Sequence, residues 1–176
     1  MPRTIPSSGR GTMFRETQYF RQIWMIALVL GISAILSWGV VQQVVLGAPW
    51  GDNPASDGFM VLMFVLFGLL LPLFMFVVHL ETEVTTTSLN FRFFPLHLKP
   101  RRIPLEDIAE HRAITYSPLK EFGGWGIRYG KLGTAYNVRG NEGVLIRTTA
   151  GRQILIGSRR AVELNAALGS MTRRTK

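Results

Sequence analysis

Cysteine is absent from this 176-residue sequence, and histidine occurs only three times. The lack of cysteine excludes disulfide bonds, thiolate metal ligands and a thiol nucleophile, and it is compatible with a cytoplasmic domain. His79, His97 and His111 are far apart, and none belongs to an H-x-x-x-H or H-E-x-x-H spacing. We therefore expect no metal and no cofactor, with His79 at a membrane interface and the other two histidines exposed on strands or loops.

Charged side chains are missing from two long apolar runs. Residues 23–46 contain none, and in residues 59–80 the only titratable side chain is His79, near the end. At about 1.5 Å per helical residue, each run can cross a hydrocarbon layer of about 30 Å. A cleaved signal peptide is the alternative for the first run, but that run exceeds the usual apolar length of about 7–15 residues and no A-x-A-like site follows it. The sequence predicts two transmembrane helices.

The connection between the two runs, residues 47–58, is rich in Gly, Pro, Asn and Asp, which predicts a tight exterior turn and an antiparallel helical hairpin. Four Lys or Arg precede the first run, none lie in the connection and sixteen follow the second run. The positive-inside rule therefore predicts a multi-pass protein of a prokaryotic cytoplasmic membrane, with a basic segment 1–22 and both termini in the cytoplasm. Nucleic-acid binding is not expected, because no DNA- or RNA-binding signature accompanies the charge.

The helix interiors lack ionisable groups, so a transport path through them is not expected. Ser33 and Ser37, and likewise Ala27 and Gly31, form small-xxx-small pairs that suit close packing, either within the hairpin or between two copies. Pro72, near the middle of the second helix, removes a backbone hydrogen bond and predicts a kink.

Residues 81–170 have a strand-rich pattern, with short apolar or alternating segments separated by turn residues. Near the end, Ser158 can cap a helix whose apolar stripe contains Ala161, Leu164, Leu168 and Met171. We predict a mainly-β cytoplasmic domain, a partly open barrel or roll with one C-terminal helix, followed by a basic tail at 171–176.

The segment KEFGGWGIRYGKLGTAYNVRGNEG is the only stretch dense enough in glycine to suggest a phosphate-binding loop. A Walker A motif fails, because Trp125 stands five positions before Gly130 and Leu132 follows Lys131. A dinucleotide fingerprint fails because Tyr129 occupies its last glycine position. We therefore predict that this segment is part of a sheet. The first glycines allow a sharp start of a strand or close approach of two backbones, and the glycines from Gly130 onward allow positive φ in two turns. These structural glycines are Gly123, Gly124, Gly126, Gly130, Gly133, Gly140 and Gly143.

Two basic groups are the candidate binding residues. Lys99, Arg101 and Arg102 follow the second helix closely and could contact anionic lipid or a partner; alternatively, they form a solvated turn that obeys the positive-inside bias. Arg159 and Arg160 begin the C-terminal helix, where cations oppose the helix dipole, so their position needs another reason. An acid-base pair at Glu106 and Asp107 and a nucleophile at Ser117 are not expected, and we predict that the protein is not an enzyme.

The segments IPLEDIAEHRAITY and GVLIRTTAGRQILIGSRRAVELNAAL resemble a bacterial pleckstrin-homology-like (PH-like) domain. The segments MFRETQYFRQIW, LKEFGGWGIRYG and AYNVRGNEGV are similar to an uncharacterised prokaryotic family with a two-helix hairpin and a PH-like domain. This resemblance, which extends from Phe14 to Leu168, implies a PH-like barrel on a membrane anchor. The segment TTTSLNFRFF lacks the K-x(n)-R-x-R pattern of the PH domains that bind inositol lipids. The expected role is an interaction module for a protein partner or a second copy; the alternatives are an anionic-lipid sensor and an accessory subunit of a membrane enzyme or transporter.

Overall fold

The computed structural model describes residues 11–175 and divides them into two units. A β-domain contains residues 11–19 and everything from Val78 onward, and a helical unit contains Phe20–Val77. Part of the predicted basic segment, residues 1–10, lies outside the described residues. The division differs from the predicted one, because the β-domain includes a strand that precedes the helices.

The helical unit contains two apolar helices. The first runs through α1 (Ile23–Val40) and a π-helical turn (Val41–Val45). The second consists of α2 (Asp57–Met63), a π-helical stretch (Phe64–Leu70) and α3 (Leu71–Val77). With mean hydropathies of 2.2 and 2.8, both are long and apolar enough to cross a membrane by length and composition. The predicted end of the second helix at residue 80 is wrong, since the helix ends three residues earlier and a strand follows.

A π-helical stretch ends at Leu70, two residues before Pro72, and the predicted kink stays a prediction. Proline has no N–H for the carbonyl four residues earlier, which belongs to Gly68. The Ser33 hydroxyl donates to that carbonyl oxygen across the hairpin, at 2.6 Å. Ser33 therefore satisfies the group that Pro72 leaves open, which confirms packing within the hairpin as a role for this small residue.

The connection between the helices folds back on the first one. The Gln43 side-chain amide donates to the Ala55 carbonyl and to the Asp57 carboxylate, each at 2.7 Å. The Trp50 ring lies so close to Gly39 that a Cβ there would be 2.8 Å from it. These contacts hold the turn of the hairpin in place.

The first sheet of the β-domain is a four-stranded antiparallel meander. Its strands are β1 (Phe14–Tyr19), β2 (His79–Val84), β3 (Ser88–Phe94) and β4 (Arg101–Pro104), in that order. The helical hairpin is thus inserted in the chain between two neighbouring strands, β1 and β2.

The second sheet has the order β5–β8–β9–β7–β6, with one parallel pair, β7 with β9. A 3-10 turn (Leu105–Asp107) leads into β5, and two helices complete the domain. The strands and helices are β5 (Ile108–Thr115), α4 (Pro118–Phe122), β6 (Gly126–Gly130), β7 (Gly133–Asn137), β8 (Glu142–Thr148), β9 (Gln153–Gly157) and α5 (Ala161–Thr175). The strands form two separate sheets rather than a closed barrel. The predicted separate tail is wrong, because the helix continues to Thr175.

The second sheet is apolar on both faces. One face meets the first sheet, where the rings of Phe91 and Tyr136 are 4.8 Å apart. The other face carries a smaller core under α4, whose buried members are Tyr116, Phe122, Ala135, Leu145 and Leu155. The predicted helical stripe is confirmed, since Ala161, Leu164, Leu168 and Met171 are all buried. Alternation within β7 and β8 thus supplies two cores from one sheet.

The glycine-rich segment forms α4 and the β6–β7 hairpin, so the prediction of sheet is confirmed. Gly133 and Gly140 have the expected positive φ. Gly123, Gly124 and Gly126 have a positive φ as well. The prediction of positive φ is wrong for Gly130 and Gly143. Those two lie within strands, where a Cβ would be 2.3 Å from the Glu121 carbonyl oxygen and 2.6 Å from that of Ile156, respectively. Close backbone approach, rather than turn geometry, requires glycine there.

Candidate functional site

The chain enters and leaves the helical unit at one end of the first sheet. Tyr19, the last residue of β1, is paired with His79, the first residue of β2, and His79 is paired with Phe94, the last residue of β3. We call this row and the loop that follows it, residues 95–100, the helix end of the β-domain. The opposite end of β1, at Phe14, is the far end.

The β3–β4 loop, residues 95–100, exposes apolar side chains. Leu96 is 59% exposed and Leu98 is 77% exposed, and Lys99 beside them is exposed as well. Between the leucines, His97 turns toward the domain: its N–H donates to the Phe93 carbonyl at 2.8 Å, and its ring lies 5.6 Å from that of Tyr136. The loop therefore has a fixed inner residue and two outward apolar neighbours.

His97 is held in its neutral form. Burial lowers the pKa of His97 below its ordinary value, and the charge of Arg101 lowers it further. A neutral imidazole has an acceptor nitrogen, which suits the contact of Nδ1 with the Phe93 N–H at 3.4 Å. The histidine therefore acts as a support for the loop and adds no charge to it at neutral pH.

Arg101 is fixed on Tyr136. Its Nη1 donates to the Tyr136 hydroxyl at 2.8 Å, and the guanidinium carbon is 5.7 Å from the ring centroid. Burial raises the pKa of Tyr136, although Arg101 opposes that shift and Tyr129 adds to it. The phenol thus stays neutral and accepts a hydrogen bond from a cation that remains exposed.

The three predicted cations near the second helix do not form a single patch. Arg101 and Arg102 are successive residues of β4, so their side chains point to opposite faces of the sheet. The Arg102 guanidinium donates to the Thr87 hydroxyl at 3.3 Å, away from Tyr136. Only Lys99 and Arg101 remain grouped with the exposed leucines of the loop.

The second predicted basic group lies near the far end, where one carboxylate binds the backbone and a second pairs with Arg160. The Glu16 carboxylate accepts from the Ser158 hydroxyl at 2.5 Å and from the Arg159 N–H at 3.1 Å. The Arg160 guanidinium pairs with Glu163 and lies 5.0 Å from the ring of Phe14. The hydrogen bond between Arg160 and Glu163 raises the pKa of the first and lowers that of the second. Arg160 thus has a carboxylate partner at this helix start, whereas the contact of Arg159 with Glu16 uses its backbone N–H.

The predicted helix cap is confirmed, because the Ser158 hydroxyl accepts from the Arg160 N–H at 3.0 Å. The two basic groups belong to different ends of the domain: Phe14 and Tyr19 are five residues apart on β1, or about 16 Å along the strand. The structure therefore separates what the sequence offered as one set of candidates.

A buried polar row crosses the first sheet on the face opposite Leu80 and Phe91. Glu81 and Arg92 are 3% and 8% exposed, and Nε and Nη2 of Arg92 contact the same Glu81 oxygen at 3.1 and 2.9 Å. Nε2 of His79 is 3.3 Å from the other oxygen, and its ring stacks at 5.3 Å on Phe94. His79 is 2% exposed, and its location at a membrane interface stays a prediction. Both Glu81 oxygens are engaged, which suits a structural ion pair.

The remaining polar candidates have structural partners. Nδ1 of His111 is 2.7 Å from the Asn165 side-chain oxygen, which links β5 to α5. Asp107 uses its carbonyl to accept from the Thr149 N–H, and Glu106 is exposed beside it. Ser117 precedes α4, where its N–H is 3.4 Å from the Glu121 carboxylate.

The exposed leucines and Tyr136 are the site residues that sequence reasoning missed. The alternation L-H-L beside Lys99 was a usable signal, since it predicts one inward and two outward side chains in an extended segment. Tyr136 gave no such signal, because its role depends on Arg101, 35 residues away in the chain.

A hairpin of two apolar helices, inserted between the first two strands of a β-rich domain, defines the class of protein to which this chain belongs. The chain is a member of a family of unknown function, DUF6141, whose family model matches residues 5–173. Comparison with curated proteins gives no match. The family match includes both units, so the hairpin and the β-domain belong to one common pattern.

Proposed function

We propose that this chain is a non-enzymatic protein of a prokaryotic cytoplasmic membrane, which presents its β-domain in the cytoplasm as an interaction module. Exposure of the helices supports membrane insertion: only 11% of the most apolar window of each helix is buried, whereas a core helix of a soluble protein would be mostly buried. The distribution of Lys and Arg supports a cytoplasmic location for both termini.

The observation that carries the proposal is the insertion of the hairpin between β1 and β2. Only residues 20–22 separate β1 from the first helix, and only Val78 separates the second helix from β2. Two short connections restrict a domain far more than one long linker does. A membrane that held the helices would thus keep this domain at its surface, with the rest of the domain available to a partner.

We further propose that the β-domain is PH-like. Support comes from an antiparallel four-stranded sheet, a second sheet with the consecutive antiparallel neighbours β5, β8 and β9, and a C-terminal helix. In this interpretation the β6–β7 hairpin is an insertion, which extends the sheet from β9 on the side away from β8. Its strand β6 is an edge strand, and an edge strand is a site where a partner protein or a second copy can add a strand.

A non-enzymatic role is supported by the pairing of the buried charges. Glu81 is engaged by Arg92, and the Glu83 carboxylate accepts from the Thr12 hydroxyl at 2.9 Å. Acids that serve as proton donors or acceptors need access to a substrate.

The topology is tested with single cysteines, because the natural chain has none to interfere. Asp52→Cys, in the connection, should react with a membrane-impermeant maleimide added to whole cells, whereas Val162→Cys, on α5, should react only after permeabilisation. The reverse pattern would contradict the proposed orientation.

The partner is tested with a photo-crosslinking residue at Tyr129, an 81% exposed residue of β6. In membranes from the native host, we expect a discrete adduct from this position and none from Val162, which is 75% exposed. The mass of the adduct distinguishes a second copy from another protein. Equal yields at both positions, or no adduct, would contradict a partner at β6.

Contact with anionic lipid is the second candidate function, favoured by Lys99 and Arg101 at the helix end. Each cation near an anionic surface contributes about 1 kcal/mol. Hydrogen exchange of the full chain in nanodiscs should show the β3–β4 loop protected by anionic lipid relative to zwitterionic lipid. The same exchange in both lipids would count against this candidate.

A further inference from the structure

We propose that the β3–β4 loop inserts into the cytoplasmic leaflet, with Leu96 and Leu98 in the interfacial layer and Lys99 and Arg101 on the phosphates of anionic phospholipids. This inference rests on the proposed membrane topology and deepens the second candidate function. It changes the expected contact from adhesion by charge alone to a lipid site with an apolar part.

The first observation is the exposure of two leucines beside one another. Leu96 and Leu98 are 59% and 77% exposed, and the turn of the loop carries them on both sides of an inward histidine. An apolar pair held out from the surface, next to cations, is the pattern with which peripheral segments enter the headgroup and acyl boundary, to a depth of about 5–10 Å.

The second observation is the location of the loop. It follows Phe94, which belongs to the same row as Tyr19 and His79, where the chain passes to and from the helices. Neighbouring strands are about 4.8 Å apart, so the loop starts within about 10 Å of both connections. The connection at the other end of β2 and β3 has a different composition, with exposed Thr86 and Thr87.

The third observation is that the loop is held in shape before any contact. His97 is bonded to Phe93, and Arg101 is bonded to Tyr136, which itself packs on the buried Phe91. A preformed loop loses little conformational entropy on binding. One Nη1 hydrogen of Arg101 is used on Tyr136, and the remaining guanidinium hydrogens can bind phosphate oxygens.

Charge complementarity favours lipid over a second copy as the occupant. Lys99 and Arg101 have no carboxylate contact within the described part of the chain, whereas Arg160 near the far end pairs with Glu163. The cytoplasmic leaflet offers a high density of anionic groups beside an apolar layer.

The test uses the full chain in vesicles, with an environment-sensitive fluorophore on Leu98→Cys and, as a matched control, on Val162→Cys. The two positions have nearly equal exposure, 77% and 75%, and each is near cations in the chain. In vesicles with anionic lipid, we expect the label at position 98 to emit at shorter wavelength and to be quenched by lipids that carry a nitroxide near the headgroup. The label at 162 should behave as in water.

The charge component is tested with Lys99→Glu, against Lys120→Glu as a control on an exposed lysine of α4. Lys99→Glu, and likewise high salt, should reduce quenching at position 98, and Lys120→Glu should leave it unchanged. Equal quenching in purely zwitterionic vesicles would overturn the role of anionic lipid. A label at 98 that remains in water, or that is shielded from water without being quenched by lipid, would overturn insertion, and the second result would indicate a protein contact. Failure of the topology itself would instead appear in the labelling at positions 52 and 162.

Discussion

The two ends of the β-domain both combine exposed apolar side chains with cations, yet they treat those cations differently. Near the far end, Arg160 pairs with Glu163, and the Glu16 carboxylate accepts from the backbone N–H of Arg159. At the helix end, Arg101 has only the neutral Tyr136 hydroxyl as its hydrogen-bond acceptor in the described structure. Arginine is paired with a carboxylate at one end and hydrogen-bonded to a neutral phenol at the other.

The number of neighbouring Lys and Arg residues in the sequence is a poor guide to a binding site. Both groups are basic in sequence, and the RR pair at 159–160 is the denser one. The ion pair of Arg160 is local, with Glu163 three residues on, whereas the contact of Glu16 with the backbone N–H of Arg159 joins residues 143 apart. A cation already paired with a carboxylate has less to gain from an anionic surface.

Removing β1, the strand that connects the two ends, should have the largest effect on the stability of the β-domain. A chain in which a short Gly-Ser linker replaces residues 20–77 should be soluble and fold, because Tyr19 and His79 are direct neighbours across the sheet. A chain of residues 78–176 alone should not fold: it loses the six-residue β1 ladder, the buried Phe14 and the Gln18 bond to the Gly157 carbonyl. Such losses compare with the whole stability of a domain, about 5–15 kcal/mol.

Circular dichroism with thermal melting measures this difference. The linked chain should melt cooperatively, and the shorter one should show no transition. A cooperative transition of the 78–176 chain at the same temperature would show that β1 is dispensable and that the two ends are independent.

The next effect concerns the buried row beside the helix end. Arg92→Met should destabilise the linked domain by about 3–5 kcal/mol, because it leaves the buried Glu81 carboxylate without its cation. Urea unfolding measures the change. Arg147→Met is the control, since the Arg147 and Glu110 side chains are 50% and 67% exposed, and such a pair is worth about 0–1 kcal/mol. Equal effects would mean that burial does not set the strength of these pairs.

The contrast between predicted and unpredicted features follows the range of the interactions. The two apolar helices and the stripe of α5 could be predicted because each depends on a pattern within one segment. Strand β1 could not, since its polar residues Glu16 and Gln18 point inward and make hydrogen bonds to residues 157–159. The second helix was predicted too long because Val78 and Leu80 continue its apolar run, although Leu80 has cross-strand partners and Val78 belongs to the β-domain. Gly130 and Gly143 likewise depend on backbone atoms from distant residues.

A smaller effect tests the far end directly. Glu16→Ala should destabilise the linked domain by about 0.5–2 kcal/mol, as the loss of a helix-capping acceptor does. The carboxylate accepts from both the Ser158 hydroxyl and the Arg159 N–H, and alanine leaves both without it. Lys99→Ala, at the helix end, should leave the unfolding free energy unchanged. A comparable loss from both variants would erase the difference between paired and available charges.

The smallest effect is the titration of His97, which reports on the charge of Arg101. Burial and that charge hold the pKa of His97 below 6.5, so the unfolded chain takes up a proton first as the pH falls. The contribution of this histidine to stability is therefore complete above pH 6.5 and is lost as the pH falls from 6.5 through the lower folded pKa.

NMR titration of the linked domain should give a midpoint below 6.5. Arg101→Gln should raise that midpoint only partly, because burial is the larger cause, and Arg102→Gln, on the opposite face, should not change it. If Arg102→Gln had the same effect, the two faces of β4 would not be electrically distinct, and Arg101 would lose its assignment to the loop.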